Sequence, residues 1–373
     1  MSEEKVVEIL KEQGVEFVVS LPCDRTKDLC SLLETQFRYI TVPREEDGIG
    51  ICSGMYLSGR RCILQMQSSG LGNSLNAIMT LPELYGLALP ILASWRGYYL
   101  EKIPAQIPFN AKIPELLTLY GISHTIIAEP KDIYRIADAI DDAYQNNRVH
   151  VVLVSPKIWD GEQPVITPLH PDRCRTVLLS YHKEIVSPVM QRADAIETVA
   201  KLLTDELVVS NIGVPSKELH AACDRDGNFY MLGSYTQATP IGLGLAIGSK
   251  KDVVVLDGDG SLLGSSVLSV VAAEKPNNLT IICLDNGAFG STGNQCTPAA
   301  TTVDLELVAQ AYGIKNTWKV HTFEELYHGF KCRERSGTEF IHVILKPGNT
   351  QAQNITITPT EIRDRFMIFS IGK

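Results

Sequence analysis

Short, unbroken apolar runs separated by helix-length stretches recur along this chain, and that alternation limits the fold more than any other feature. The run 149–154 is dominated by valine, Val253-Val254-Val255-Leu256 is wholly aliphatic, and Ile281-Ile282-Cys283-Leu284 follows the same pattern. A strand apolar on both faces must be covered on both, as in a parallel sheet flanked by helices. Further strands are expected at 15–21, at a stretch ending in Thr41-Val42-Pro43, and at 61–67, 87–95, 207–210 and 340–345. Helical patterns fill 46–57, 71–85, 190–203, 240–248, 262–273 and 304–312.

The rhythm breaks once. Prolines at 156, 164, 168, 171 and 188, with Asp160-Gly161-Glu162 among them, mark a linker over 161–188. The expected architecture is therefore α/β, with two doubly wound parallel-sheet domains, 1–160 and 189–373. No repeat of 20–50 residues is evident.

Composition narrows the function. The charge of −9 over 373 residues argues against a nucleic-acid partner, whose binding surface would be basic. No apolar run approaches the roughly 18 residues of a membrane span; residues 86–95 come nearest and contain Pro90. The charged start Met1-Ser2-Glu3-Glu4-Lys5 runs straight into an amphipathic pattern, unlike a signal peptide, so a cytoplasmic protein without membrane partners is expected. The nine cysteines include no CxxC pair, which leaves neither a zinc knuckle nor a disulfide ladder.

The chemistry concentrates at strand ends. After Val253–Leu256 comes Asp257-Gly258-Asp259-Gly260-Ser261, a glycine-bounded carboxylate at the point where a helix begins. Backbone N–H groups there can hold a phosphate, and Asp259 can hold a hard cation such as Mg²⁺. Such triplets also make plain turns. A second element lies 27 residues beyond Asp259, where the strand 281–284 ends in Asp285-Asn286-Gly287-Ala288. One strand–helix–strand unit brings this second end beside the first.

The combination strand-GDG, about 25 residues, strand-N resembles the diphosphate-binding motif of thiamine diphosphate enzymes. The resemblance implies Gly258, Asp259, Gly260, Ser261 and Asn286 as cofactor-binding residues. It also implies Asp259, Asn286 and the Ala288 carbonyl as Mg²⁺ ligands. In the first half, Arg44-Glu45-Glu46-Asp47-Gly48, running on to Tyr56, resembles the pyrimidine-binding segment of the same enzymes. Glu46 there matches the glutamate that hydrogen-bonds the aminopyrimidine ring. By itself, an acidic first turn is better explained by the helix macrodipole, without any cofactor.

The full order of motifs is similar to the sulfopyruvate and phosphonopyruvate decarboxylase family. It includes Leu21-Pro22-Cys23-Asp24-Arg25, the loop Gln67-Ser68-Ser69-Gly70-Leu71-Gly72-Asn73, Ser94-Trp95-Arg96-Gly97, Gly233-Ser234 and Gly293-Asn294-Gln295. The chain resembles the α and β subunits of that family joined in one polypeptide. The implied activity is decarboxylation of 3-sulfopyruvate in coenzyme M biosynthesis, with phosphonopyruvate or another small 2-oxo acid as the alternative substrate. A carboligase of the acetolactate synthase kind would need a middle domain, for which the linker has no room, and a non-catalytic module would not need Glu46, Asp259 and Asn286 together. Ser69 and Gly70 are then cofactor contacts, Gln67 and Asn73 substrate contacts, and Arg25 and Arg96 the cationic clamp on the second acid group. Tyr235 stands where the family more often has the Met of Gly-Ser-Met-Gly, the residue that props the bent cofactor. The resemblance further implies a homo-oligomer with active sites between chains.

Two glycine patterns, Gly48-x-Gly50-x-x-x-Gly54 and Gly242-x-Gly244-x-x-x-Gly248, have the wrong spacing for a dinucleotide fingerprint and point to close helix packing. The eight histidines show no metal-ligand spacing and receive no role.

Overall fold

The computed structural model describes residues 1–159 and 176–372. The chain divides into two compact units, 1–173 and 174–373. The first holds six strands: β1 (Phe17–Ser20), β2 (Arg38–Thr41), β3 (Cys62–Gln67), β4 (Leu89–Ser94), β5 (Ser123–Ile127) and β6 (Val149–Val154). They lie in the order β2-β1-β3-β4-β6-β5, every neighbouring pair parallel.

The second unit holds β7 (Leu207–Ser210), β8 (Asn228–Tyr230), β9 (Val253–Gly258), β10 (Leu279–Asp285), the short hairpin β11 (Ala288–Phe289) and β12 (Gln295–Cys296), then β13 (Asn316–Val320) and β14 (Glu339–Ile344). Its main sheet runs β13-β14-β10-β9-β7-β8, again parallel throughout. Counted by appearance in the chain, both sheets share one order, second-first-third-fourth-sixth-fifth. Each reverses direction between its first and third strands, which is where ligand crevices form in such sheets.

The central strands β4, β6, β10 and β14 are buried at every position, as their apolar runs require. The strands that the apolar pattern leaves unmarked, β5, β8 and β13, lie at or beside sheet edges. Their sequences mix polar and apolar residues; β5 and β13 are only partly covered, whereas β8 is buried throughout and pairs its polar groups, Asn228 Nδ2 donating to the Tyr230 hydroxyl at 3.0 Å. Two helices expected as single pieces are broken. Residues 71–85 form Gly70–Thr80 and Pro82–Tyr85, because Pro82 cannot continue the backbone ladder. Residues 262–273 form parts of Asp259–Leu263 and Val267–Glu274, separated at Gly264-Ser265-Ser266.

Much of the expected linker, 161–175, lies outside the described residues. Its remainder carries neither helix nor strand, yet it is tied to the second unit. Ser180 and Gln310 exchange two hydrogen bonds of 2.7 and 3.0 Å, and Lys183 Nζ lies 2.6 Å from Glu325 Oε1.

Both glycine patterns serve packing. The helices Glu45–Leu57 and Ala238–Gly248 are buried almost all round. A Cβ on Gly48 would come within 2.7 Å of Leu64 Cδ1, and one on Gly242 within 2.1 Å of Val255 Cγ2. The absent side chain is what lets each helix lie on its sheet. Gly242→Ala is expected to cost roughly 1–3 kcal/mol through overpacking, read as a lower urea midpoint at unchanged slope; an unchanged midpoint would disprove the close approach.

Candidate active site

The carboxyl ends of β9 and β10 build the sharper half of the site. Gly258 caps the short helix that Asp259 opens. Asp259 is 2% exposed, and Thr297 Oγ1 donates to its Oδ2. Burial pushes its pKa up to about 6, and the neighbouring Asp285 carboxylate adds to the rise. Among the described residues, no cationic side chain pairs with it. Asn286 is 5% exposed; its Oδ1 accepts the Ala288 N–H at 3.2 Å, while its buried Nδ2 has no partner.

These residues border a cavity of about 160 Å³, lined also by Gly258, Gly260, Ser261, Asn211, Tyr235 and Arg192. Gly260 allows no side chain here, since a Cβ would lie 2.6 Å from the Phe289 ring. Among the described residues, no three His, Cys, Asp or Glu side chains gather to hold a metal. The donor set is instead one carboxylate, one amide and the Ala288 carbonyl, hard oxygens of the kind Mg²⁺ takes. A buried carboxylate without a countercharge, beside the Asn286 and Ala288 oxygens, fits a site that a cation completes, while the unpaired Asn286 Nδ2 is a donor left for an anion.

Behind this edge stands a buried chain of charges that the sequence reading left without a role. Asp285 accepts the Gly287 N–H at 2.9 Å, where φ is +63°, and its other oxygen meets His342 Nε2 at 2.7 Å. His342 Nδ1 lies 3.6 Å from Asp304, which in turn pairs with Lys319. Burial disfavours a charged His342 ring, but Asp285 and Asp304 outweigh it and raise the pKa above the ordinary value. The signal for this role is a histidine inside an otherwise apolar run, Phe340-Ile341-His342-Val343-Ile344.

Tyr235 donates from its hydroxyl to the Gly260 carbonyl at 2.5 Å. Its neighbours Ser234 and Thr236 have φ of +69° and +73°. A β-branched residue rarely adopts that conformation, and the resembled motif has glycine at position 236. Strain of about 1–3 kcal/mol per residue is a usual cost of such outliers, which gather at functional sites.

In the first unit the carboxyl ends of β1, β3 and β4 converge on Arg96, which is 2% exposed. Its Nε and Nη2 donate to Glu101 at 2.7 and 3.1 Å, and its Nη1 donates to Asp24 at 2.5 Å and Gln67 at 3.1 Å. Gln67 in turn donates to Ser69 Oγ. Arg96, expected in the substrate clamp, has its guanidinium bonded to protein acceptors here and organises Asp24 and Gln67. Glu101, which the motifs did not mark, is the reason. Arg25 is half-buried and less engaged: its Nη2 lies 3.9 Å from Glu101 Oε1, and its Nε, without a hydrogen bond, lies 4.0 Å from Asp24 Oδ2.

Glu46 carries an ion pair with Arg44 at 2.9 Å and is partly exposed. Its neighbour Glu45 is buried; Asn73 donates to it at 3.2 Å, and a Cβ on Gly70 would lie 2.5 Å from its Cγ. Asn73, expected at the substrate, thus bonds Glu45, and Gly70, expected at the cofactor, leaves by its missing side chain the room that Glu45 fills.

Hydrogen bonds from Arg96, opposed by burial, hold the Glu101 pKa down to about 2, against an ordinary value of 4.5. A depressed carboxylate stabilises the fold fully above its unfolded pKa, and that contribution is lost as pH falls from about 4.5 through about 2. Glu101→Gln should therefore lie furthest below the parent in urea stability at pH 7 and approach it near pH 2. A gap independent of pH would show that the carboxylate charge is not what holds Arg96.

Comparison with known proteins follows the same division. Residues 2–112 match the thiamine pyrophosphate enzyme N-terminal TPP binding domain, and 216–343 the C-terminal TPP binding domain. A sulfopyruvate decarboxylase of Methanosarcina acetivorans is 47% identical over 372 residues, covering 98% of this chain and 96% of that one. The separate α and β subunits of the Methanococcus maripaludis enzyme match 43% and 48% of this chain, at 37% and 41% identity, over 98% and 96% of their own lengths. A phosphonopyruvate decarboxylase of Streptomyces viridochromogenes is 30% identical, covering 95% of this chain and 91% of that one. Among solved structures, a putative thiamin diphosphate-dependent enzyme from Mycobacterium smegmatis superposes with a TM-score of 0.71 at 13% identity, covering 94% of this chain and 100% of that one.

Proposed function

The chain belongs to the sulfopyruvate decarboxylase family of thiamine diphosphate enzymes, and on that premise we propose that it converts 3-sulfopyruvate to sulfoacetaldehyde and CO₂ in coenzyme M biosynthesis. The observation that supports the cofactor assignment best is the buried Asp259 carboxylate, without a countercharge, at the same edge as the Asn286 amide, whose oxygen can face a cation and whose unpaired Nδ2 can donate to an anion. Asp259, Asn286 and the Ala288 carbonyl hold Mg²⁺, and Gly258, Gly260 and Ser261 hold the diphosphate. Tyr235 supports the rings in place of the usual Met, its hydroxyl anchored on Gly260.

Thiamine diphosphate, when bound, supplies the electron sink that a 2-oxo acid needs to lose CO₂. Glu46 holds the proton exchanged with the aminopyrimidine ring nitrogen, and Arg44 fixes one of its oxygens. Arg25 and Arg96 meet the sulfonate; Gln67, ordered through Arg96, and Asn73 face the reacting acid, and Ser69 and Gly70 contact the cofactor. We place the enzyme in the cytoplasm, where the eight described cysteines remain thiols. No helix among the described residues is long and apolar enough to cross a membrane. Its active form is a homo-oligomer whose sites draw Glu46 and Asp259 from different chains.

The direct test is steady-state turnover of sulfopyruvate, phosphonopyruvate and pyruvate with thiamine diphosphate and Mg²⁺. Sulfopyruvate should give the highest kcat/KM; a preference for phosphonopyruvate would move the chain to the other branch. Arg25→Ala should raise KM for sulfopyruvate by roughly ten- to a hundredfold, the worth of a charge-assisted hydrogen bond, while pyruvate is little affected. Equal losses on both substrates would make Arg25 structural.

Glu46→Gln should lower turnover by roughly 10²–10⁴-fold, the scale of acid–base catalysis, and Asp259→Ala should abolish Mg²⁺-dependent cofactor binding in calorimetry. Mixed oligomers of the two variants should recover part of the activity. Mixed oligomers confirmed by mass but inactive would show that each chain supplies both residues itself.

A further inference from the structure

The cavity at the ends of β9 and β10 has one cationic side chain among the described residues that line it, Arg192. No motif marks it. Arg192 opens the helix Arg192–Ala200 and is 7% exposed. Its Nε and one Nη2 bond go to Glu218, at 2.7 and 3.1 Å, and Nη2 also donates to Asn349 Oδ1 at 2.8 Å. Asn349 donates to the Gly290 carbonyl at 2.6 Å, and Thr350 donates to Glu218 at 2.8 Å. The guanidinium is therefore fixed on one edge. Its other edge is free: Nη1 makes no hydrogen bond within the described residues and stands 3.2 Å from where a Cβ on Gly290 would sit, at the cavity wall.

A buried ion pair is a weak source of stability, because desolvation offsets most of the Coulomb gain. Keeping one at this wall, with a donor left over, calls for another reason. A planar fork fixed by a carboxylate on one side presents its remaining N–H groups at a set angle, the geometry that suits phosphate oxygens. With Asp259 anionic on the metal side, one divalent ion leaves a diphosphate short of positive charge. We propose that Arg192 is a further cofactor-binding residue, donating through Nη1 to the terminal phosphate of thiamine diphosphate. This rests on the reading of the cavity as the diphosphate site.

The test compares thiamine diphosphate with thiamine monophosphate by calorimetry on the full-length protein in Mg²⁺. Arg192→Lys keeps a charge but loses the fork. A second variant, Arg192→Gln with Glu218→Gln, removes both partners of the buried pair together and so leaves no isolated charge. In both, affinity for the diphosphate should fall roughly ten- to a hundredfold, affinity for the monophosphate should hold, and KM for sulfopyruvate at saturating cofactor should stay unchanged. Equal losses for the two thiamine esters would make Arg192 merely structural and overturn the proposal. So would unchanged discrimination between them, or a raised sulfopyruvate KM with intact cofactor affinity, which would assign Nη1 to the substrate's acid group. Parent protein that bound neither ester would instead refute the cofactor reading itself, and this proposal with it.

Discussion

A carboxylate taken out of water without a countercharge is the constraint around which this molecule's second half is arranged. Asp259 sits at the end of β9, nearly sealed from solvent, and burial together with Asp285 lifts its pKa to about 6. An isolated buried carboxylate is costly, and Thr297 supplies a hydroxyl where a full charge is needed. A divalent cation removes that cost. The surrounding features follow: glycines on either side of Asp259, an amide with an unpaired nitrogen one strand away, and a cavity between them.

The same edge is held by groups that never reach the cavity. Asp285 ties the Gly287 turn on one oxygen and His342 on the other, so the loop carrying Asn286 and Ala288 is braced from β14. Beyond it, Asp304 and Lys319 continue the charge alternation into the sheet. On the opposite wall, Tyr235 hangs between two left-handed residues and reaches back to Gly260. That bond couples the segment 234–236 to the loop at the end of β9. The strain at Ser234 and Thr236 is held in place by their buried surroundings.

In the first unit a buried arginine plays the organising part. Arg96 is surrounded by Glu101, Asp24 and Gln67, and its charge is balanced by protein carboxylates. Such an arginine arranges the acceptors around it. The distinction separates Arg96 from Arg25, although both lie in loops at strand ends.

The sequence by itself determined the sheet-forming core and the chemistry-bearing loops. Runs such as 253–256 and 281–284, β-branched and set between helix-length stretches, read as buried strands of a parallel sheet, and the Asp259 to Asn286 spacing follows from one strand–helix–strand step. It also contained the close helix packing at Gly48 and Gly242, because a glycine pattern with the wrong spacing for a nucleotide loop leaves contact as its reason. Tertiary structure alone decided the rest. The edge strands β5, β8 and β13 carry no continuous apolar run, so their existence depends on pairing partners distant in the chain. The common strand order of the two units has no counterpart in sequence, since topology is set by which strands pair and not by which residues they contain. Whether Arg96 is a free cation or a closed one rests on Glu101, and whether Arg192 lines the cavity rests on Glu218 and Asn349. A side chain's charge is written in the sequence, but the partners that neutralise or expose it are chosen only when the chain folds.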